Sequence, residues 1–431
     1  MDVLQRSAWR EPPRNGNLGA PQPGGWNSNV SEGDISTALN SAPTSPTDPA
    51  LPNHLAFLNR ICRAETSASV RVPEGWRVVC LQRDDPKRAA CEVDLGRTGT
   101  PIPLSHRHTW VQATEEDPGV YLAILDSSGI CRGGCEIRIL PTRALPGHYF
   151  LRIERYGGSM TDEVADAIAA FSAEVTGNEP RILRADLDIF ALDSARRQRF
   201  EKIARSCGYG DAAEHRAYGR TAVLDLTPSE DEVFAGLHSS ARRNIRATER
   251  SVIELRPIVD PAQGPRMDRL LEMTMARTGG ERANERWDRR IAFAAEHPES
   301  VRIVGAYRTD REPHEALVGF AVGQHQGDHA EYHTAATARP GDLGRLSLGY
   351  APVWDLILWA RRSGAQWFDL GGITESTGDR PDPLAGVTEF KHFFTRTDAD
   401  VRTELTLYPS GLRSALARTV SGAARFVRTH S

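Results

Sequence analysis

The sequence predicts an α/β protein of layered α+β type, in which two tandem units each carry a mixed, largely antiparallel sheet. Three observations support this. From about residue 100 onward, helical and strand periodicities alternate along the chain. Both halves follow one plan: helix, two or three strands able to pair antiparallel, helix, strand. Neither half holds a Gly-x-Gly-x-x-Gly fingerprint, which argues against a dinucleotide-type doubly wound sheet. A chain of 431 residues has room for two or three domains.

Residues 1–52 are rich in Pro, Gly, Ser and Asn, and their apolar residues are too sparse to offset ordering entropy. A disordered tail is expected there. Short strand-like pieces follow around Val70 to Leu81. In the first unit, residues 53–228, a helix is expected near Ser105 to Gln112 and a buried strand over Val120 to Leu125. Further strands are expected over Cys135 to Leu140 and Tyr149 to Arg155. Val164, Ile168, Phe171 and Val175 give helical spacing over Glu163 to Thr176. A strand over Arg181 to Phe190, a helix over Arg196 to Cys207 and a strand over Ala222 to Leu226 complete the unit.

The second unit, residues 229–410, opens on a start signal. Thr227 is placed as N-cap, Pro228 at the first helical position and Glu230 three residues on, and the helix is expected to run to about Arg250. Helices are then predicted over Met267 to Arg277 and Trp287 to Glu296. Strands are predicted over Val301 to Tyr307, Ala316 to Gln324 and Ala330 to Ala336. An amphipathic helix, Tyr350 to Arg362, stops at Ser363-Gly364, and the strand Gln366 to Leu370 runs into Gly371 and Gly372. A last strand, Val401 to Tyr408, belongs to the second unit or returns to the first. Residues 411–431 carry Arg413, Arg418, Arg425 and Arg428 with no acid. A basic tail of this kind suits tRNA or an anionic membrane face, and a basic helix without partner is the competing reading.

Composition narrows the function classes. A net charge of −4 announces no global basic field for nucleic acid. No run approaches the ~18 apolar residues of a membrane span, and the N-terminus lacks a secretory apolar core. A cytoplasmic protein is expected. Six scattered cysteines do not form a disulfide framework. Cys131 and Cys135 can be grouped on paper with His106 and His108. The Cys-x3-Cys spacing is unusual for zinc, however, and no second cysteine pair accompanies it, so no metal and no cofactor is expected.

Three segments carry a resemblance to a known family. Leu237 to Glu249 (LHSSARRNIRATE), Trp367 to Ile373 (WFDLGGI) and Gly386 to Phe394 (GVTEFKHFF) resemble, in order and spacing, motifs of the Fem family of aminoacyltransferases over about residues 105–410. The resemblance implies two tandem GNAT-like domains and amide formation from aminoacyl-tRNA. The acceptor it implies is an amine on a peptidoglycan precursor or a specialised metabolite. The chain departs from the family in carrying Thr395 where a glycine is usual and in lacking a long coiled-coil arm.

The resemblance places Lys391 at the reaction site, where a cation suits the oxyanion of acyl transfer. Phe390, with Phe393 and Phe394, is expected to seat that lysine against the core; a surface lysine beside a hydrophobic staple is the alternative. The family's strand-end carboxylate falls on Asp186, or on Asp188 by a shift of register, with a role in orienting or deprotonating the amine. Arg242, Arg243, Arg246 and Arg250 form a basic stripe suited to phosphate, or else a solvated face. Arg277, Tyr332, Asp369, Gly371 and Gly372 complete the expected substrate or tRNA cleft, with Asp369 read more readily as the cap of the glycine turn. Arg339 to Gly349 does not fit the pyrophosphate loop of acyl-CoA enzymes, which disfavours a CoA donor. A non-catalytic scaffold is the third reading, and the presence of Lys391 argues against it.

Overall fold

The computed structural model describes residues 61, 72–114, 119–142, 145–157, 160–213, 217–278, 285–344, 346–374 and 385–420, all within one compact unit, Pro52–Ser431. The expected tail over 1–52, together with Cys62, Arg425 and Arg428, lies outside the described residues.

In chain order the first elements are β1 (Arg77–Gln82), α1 (Lys87–Arg97), α2 (His108–Thr114), β2 (Gly119–Leu125), β3 (Cys131–Pro141), β4 (Tyr149–Tyr156), α3 (Asp162–Asn178), β5 (Ile182–Phe190), α4 (Ser194–Ser206), β6 (Gly210–Asp211) and β7 (Arg220–Asp225). After them come α5 (Glu230–Gly236), α6 (Ser239–Glu249), β8 (Ile253–Pro257), α7 (Gly264–Thr278), α8 (Trp287–Glu296), β9 (Val301–Arg308), α9 (Pro313–Ala316), β10 (Leu317–His325) and β11 (His329–Thr337). The last are α10 (Tyr350–Arg362), β12 (Trp367–Gly372), α11 (Ala385–His392), β13 (Asp398–Asp400) and β14 (Arg402–Leu407). Residues 412–420 are helical.

The strands form two seven-stranded sheets, β1-β2-β3-β4-β5-β14-β6 and β13-β7-β12-β11-β10-β9-β8. They share one plan. Four strands pair antiparallel in sequence, and the fourth pairs parallel with the fifth, β4 with β5 and β11 with β12. Each parallel pair is bridged by a helix, α3 or α10, as a parallel crossover requires.

The sixth position in each sheet comes from the other half of the chain. Strand β7, expected in the first unit, pairs with β12 in the second sheet, while β14 pairs with β5 in the first. The halves are therefore exchanged at one strand each.

Local sequence explains most elements. In α3, Val164, Ile168, Phe171 and Val175 are buried at helical spacing, and the Thr161 side chain accepts from the Val164 N–H. Strand β10 is buried along all nine residues. Phe320 and Val322 enter one core and Ala321 another, so an uninterrupted apolar run is what a central strand covered on both faces shows.

Two expectations need correction, and one helix was not anticipated. The helix over Ser105 to Gln112 is a 3-10 turn, Leu104–His106, followed by α2, because Arg107 is extended (ψ 131°). The helix from Thr227 to Arg250 is two helices. Thr227 spends its hydroxyl on Asp225, the capping box falls on Ser229 and Glu232, and Leu237 (ψ 150°) ends the first helix before His238 caps α6. Helix α1, unread in the sequence, buries only Arg88, Cys91 and Leu95, a stripe too thin to signal a helix.

Candidate functional site

Strands β11 and β12 pair through only three positions, His329 with Trp367, Ala330 with Phe368 and Glu331 with Asp369. Beyond Asp369 the β12 backbone turns at Gly371, whose φ of +83° suits glycine alone, and the register with β7 slips between Asp369 and Gly372. In the first sheet, β4 and β5 pair from Tyr149 with Ile182 to Ile153 with Leu187 and, past a bulge at Glu154 and Arg155, again at Tyr156 with Ile189. The second sheet thus opens where the first resumes its pairing.

Lys391 fills that opening. Its ammonium donates to the Gly372 carbonyl at 2.5 Å, and a Cβ on Gly371 would stand 3.2 Å from Nζ and 3.7 Å from the Tyr332 carbonyl. The side chain is buried, and burial lowers the lysine pKa from 10.5 to about 8 against the opposing charge of Asp369. Of the 53 basic residues (Lys and Arg), only Lys87, Lys202 and Lys391 are lysines, and the other two are exposed. A guanidinium is larger and does not give up its charge, so the use of lysine at this one buried point is a chemical choice.

The helix that carries it is anchored by aromatic rings. Phe390 packs on Tyr350 and Phe394, at ring-centroid distances of 5.1 and 5.4 Å, and Phe393 lies 5.9 Å from Tyr350. With those rings in the core, the next position, Lys391, faces the sheet. Phe390 acts by seating this helix. Tyr332 packs against the same core, and burial pushes its phenol up.

Asp369 is fully buried, with three donors. The Gly371 N–H reaches Oδ1 at 2.6 Å, the Thr221 hydroxyl reaches the same oxygen, and the Tyr218 hydroxyl reaches Oδ2 at 2.9 Å. It holds the glycine turn, as its place before the two glycines suggested. Gly372 has no room for a side chain, since an added Cβ would lie 2.4 Å from the Tyr218 Cβ. Gly372→Ala is expected to cost about 1–3 kcal/mol of stability by overpacking, read as a lowered urea midpoint, and to reduce activity by moving the carbonyl that holds Lys391.

Asp186 stands elsewhere. It lies inside β5, buried, paired with Arg184 at 3.0 Å and accepting from Thr406 at 2.9 Å. The expected strand-end carboxylate is therefore a link between β5 and β14. Two residues on, Asp188 pairs with Arg402 at 2.9 Å, and its carboxyl is raised by burial.

On α6, Arg242 donates to the Ala235 carbonyl at 2.6 Å and to that of Leu237, tying down the end of α5. Arg243, Arg246 and Arg250 are exposed, with Arg246 over the Phe234 ring. Arg277 is exposed at the end of α7, 3.5 Å from the Thr337 carbonyl. Arg413 is drawn inward onto the carbonyls of Gly177, Thr176, Glu179 and Ile182, closing the C-terminal end of α3, and so is withdrawn from the basic tail. Cys131 and Cys135 fall on opposite faces of β3 because the register slips between Ile124 and Leu125, one joining Tyr121 and Ala123 and the other Leu122 and Ile124. They cannot bind one ion. Among the described residues, no group of three or more His, Cys, Asp or Glu is arranged to hold a metal, and no helix is long and apolar enough to cross a membrane.

The sequence did not point to Arg155, Tyr218, His329 or Glu331. Arg155, at φ +50° in a bulge of β4, reaches across to β11 and binds the Glu331 carboxylate and His329 Nε2 (3.0 Å). His329 in turn pairs with Asp328 at 2.6 Å and stacks against both Phe190 and Trp367, which also stack on each other. The cleft beside them has room for about one water molecule.

No protein-family model and no curated protein matches the chain. Among solved structures, FemX superimposes with a TM-score of 0.63 at 12% identity, covering 77% of this chain and 98% of that one. L-PGS from Bacillus licheniformis gives 0.44 at 13% identity over 79% of this chain and 98% of that one. A tandem GNAT protein from the clavulanic acid biosynthesis pathway gives 0.41 at 12% identity over 78% of this chain and all of that one. The fold is thus a tandem GNAT-like fold, two mixed and mostly antiparallel sheets with interleaved helices. Over 77% of the chain this fold is similar to that of FemX.

Proposed function

We propose that the chain is an acyltransferase that forms an amide, moving an aminoacyl group from aminoacyl-tRNA to an amine-bearing acceptor. One observation carries the reading: the lysine buried in the opening between β11 and β12, held by the Gly372 carbonyl. An ammonium has three N–H donors and uses one there, so two are available to an oxygen bound in the opening.

In the reaction the acceptor amine attacks the ester carbonyl, forming the C–N bond. The carbonyl oxygen becomes an oxyanion, which Lys391 stabilises. Collapse breaks the C–O ester bond, the amine proton departs, and the tRNA hydroxyl leaves protonated. A donor already in place for that charge is worth about 3 kcal/mol, and holding both substrates together supplies much of the rest. The exposed Arg243, Arg246 and Arg250 suit a phosphate backbone. A fold shared with FemX fits this chemistry. An acyl-CoA donor is the second reading. Against it, the segment Arg339 to Gly349 that leads into α10 lacks the Arg/Gln-x-x-Gly-x-Gly/Ala spacing of a pyrophosphate loop, and it begins with a 3-10 turn over Gly341–Leu343.

The test is incubation with charged tRNA and candidate amines, followed by mass spectrometry. Product that forms only with acetyl-CoA would sink the tRNA reading. Activity should also fall as pH rises through about 8, where Lys391 loses its proton. Lys391→Arg, which does not titrate in this range, should abolish that alkaline limb whatever its residual rate.

A further inference from the structure

Tyr218 lies in the segment before β7 and is held from two sides. From the first sheet, Arg402 of β14, itself paired with Asp188 of β5 at 2.9 Å, covers the Tyr218 ring at 4.9 Å and donates to its carbonyl at 3.3 Å. Toward the second sheet, the Tyr218 hydroxyl donates to Asp369 at 2.9 Å and its Cβ abuts Gly372. Asp369 holds the Gly371 N–H, and Gly372 holds the Lys391 ammonium. These contacts run without a break from Asp188 to Lys391.

We propose that Tyr218 is a positioning residue for Lys391: clamped by Arg402, it fixes the Asp369 carboxylate and the Gly371–Gly372 turn, and so sets the place and the charge of the ammonium. This rests on the reading of Lys391 as the cation at the acyl-transfer centre. The geometry suits the task. Burial and the neighbouring Asp369 both push the Tyr218 phenol up, so it remains a donor across the working pH range. The donor disperses part of the Asp369 charge that otherwise acts on Lys391. Exchange of β14 into the first sheet gives the contact its reach. The strand that completes one sheet carries the arginine that steadies the lysine of the other.

The experiment follows the Lys391 charge directly. With only three lysines in the chain, protein labelled with 13C-lysine should give three side-chain signals, and Lys391 is assigned by its loss in Lys391→Met. Wild type should titrate near 8. Tyr218→Phe keeps the ring and removes the donor. It should raise the Lys391 midpoint by roughly half to one pH unit, because more of the Asp369 charge then faces it. The same change should lower kcat roughly tenfold with the KM for charged tRNA little altered. Thr221→Val, which removes a second donor to Asp369 at similar volume, should shift the midpoint in the same direction and serves if the first variant does not fold. A Lys391 midpoint that stays or falls in these variants overturns the proposal, whatever activity does. The titration needs no substrate, so failure of the tRNA reading shows separately, as absent transfer by wild type.

Discussion

Lys391→Met is expected to lower kcat by about 100- to 1,000-fold, the usual cost of removing one preorganised oxyanion donor. The KM for charged tRNA should change little, because the ammonium is needed most when the carbonyl oxygen is charged. The fold should not suffer. Lys391 titrates near 8 in the folded chain, against 10.5 for the ordinary side chain. Between those values the unfolded chain binds the extra proton, so stability rises with pH across that window. Below it, the buried charge costs on the order of 3 kcal/mol. A methionine of similar length removes this cost, so the urea midpoint at pH 7 should hold or rise as activity disappears. Loss of activity together with loss of stability would indicate a structural lysine.

The second large effect is on stability. Arg155→Met should cost about 3–5 kcal/mol, measured by urea denaturation, because it strands Glu331, nine-tenths buried, without its cation. His329 Nε2 loses its donor in the same step. The double variant Arg155→Met with Glu331→Gln should recover much of that loss, since the damage comes from the unpaired charge and not from the missing side chain. The bulge at Arg155 contributes to the argument. A residue other than glycine at φ +50° persists only where its surroundings over-determine it, and here the ion pair to the other sheet does so.

Much of this fold was legible because its elements obey local rules. Helix α10 ends where Ser363-Gly364 said it would, and α8 spans the predicted Trp287 to Glu296 residue for residue. The mixed character of both sheets followed from the repeated helix–strand plan, but not which strands pair parallel. The exchange of β7 and β14 was only half visible, because a strand's own alternation does not name its neighbour. The return of β14 to the first sheet stood as one of two options, whereas β7 was placed in the wrong sheet.

The site divides in the same way. Lys391 and the glycine pair stood out, since a charge among phenylalanines and two consecutive glycines are local anomalies. Asp369 was legible as a cap for the same reason. Asp186 misled because a carboxylate at an assumed strand end looks free, and only the pairing with β14 shows it enclosed by Arg184 and Thr406. Arg242 and Arg413 looked like solvent-facing cations, yet both are spent on helix-end carbonyls, which no charge count reveals. Tyr218 and Arg155 carried no signal. Their importance comes from contacts across 151 and 176 positions of chain.

Single-turnover transfer of a labelled amino acid from charged tRNA to a pool of amines, run side by side with wild type and Lys391→Met, bears most directly on the proposed role. Wild type should convert the alkali-labile ester into an alkali-stable amide, and Lys391→Met should do so at least about a hundredfold more slowly. Amide formation at the same rate in both proteins, or only when acetyl-CoA replaces the tRNA, would contradict it.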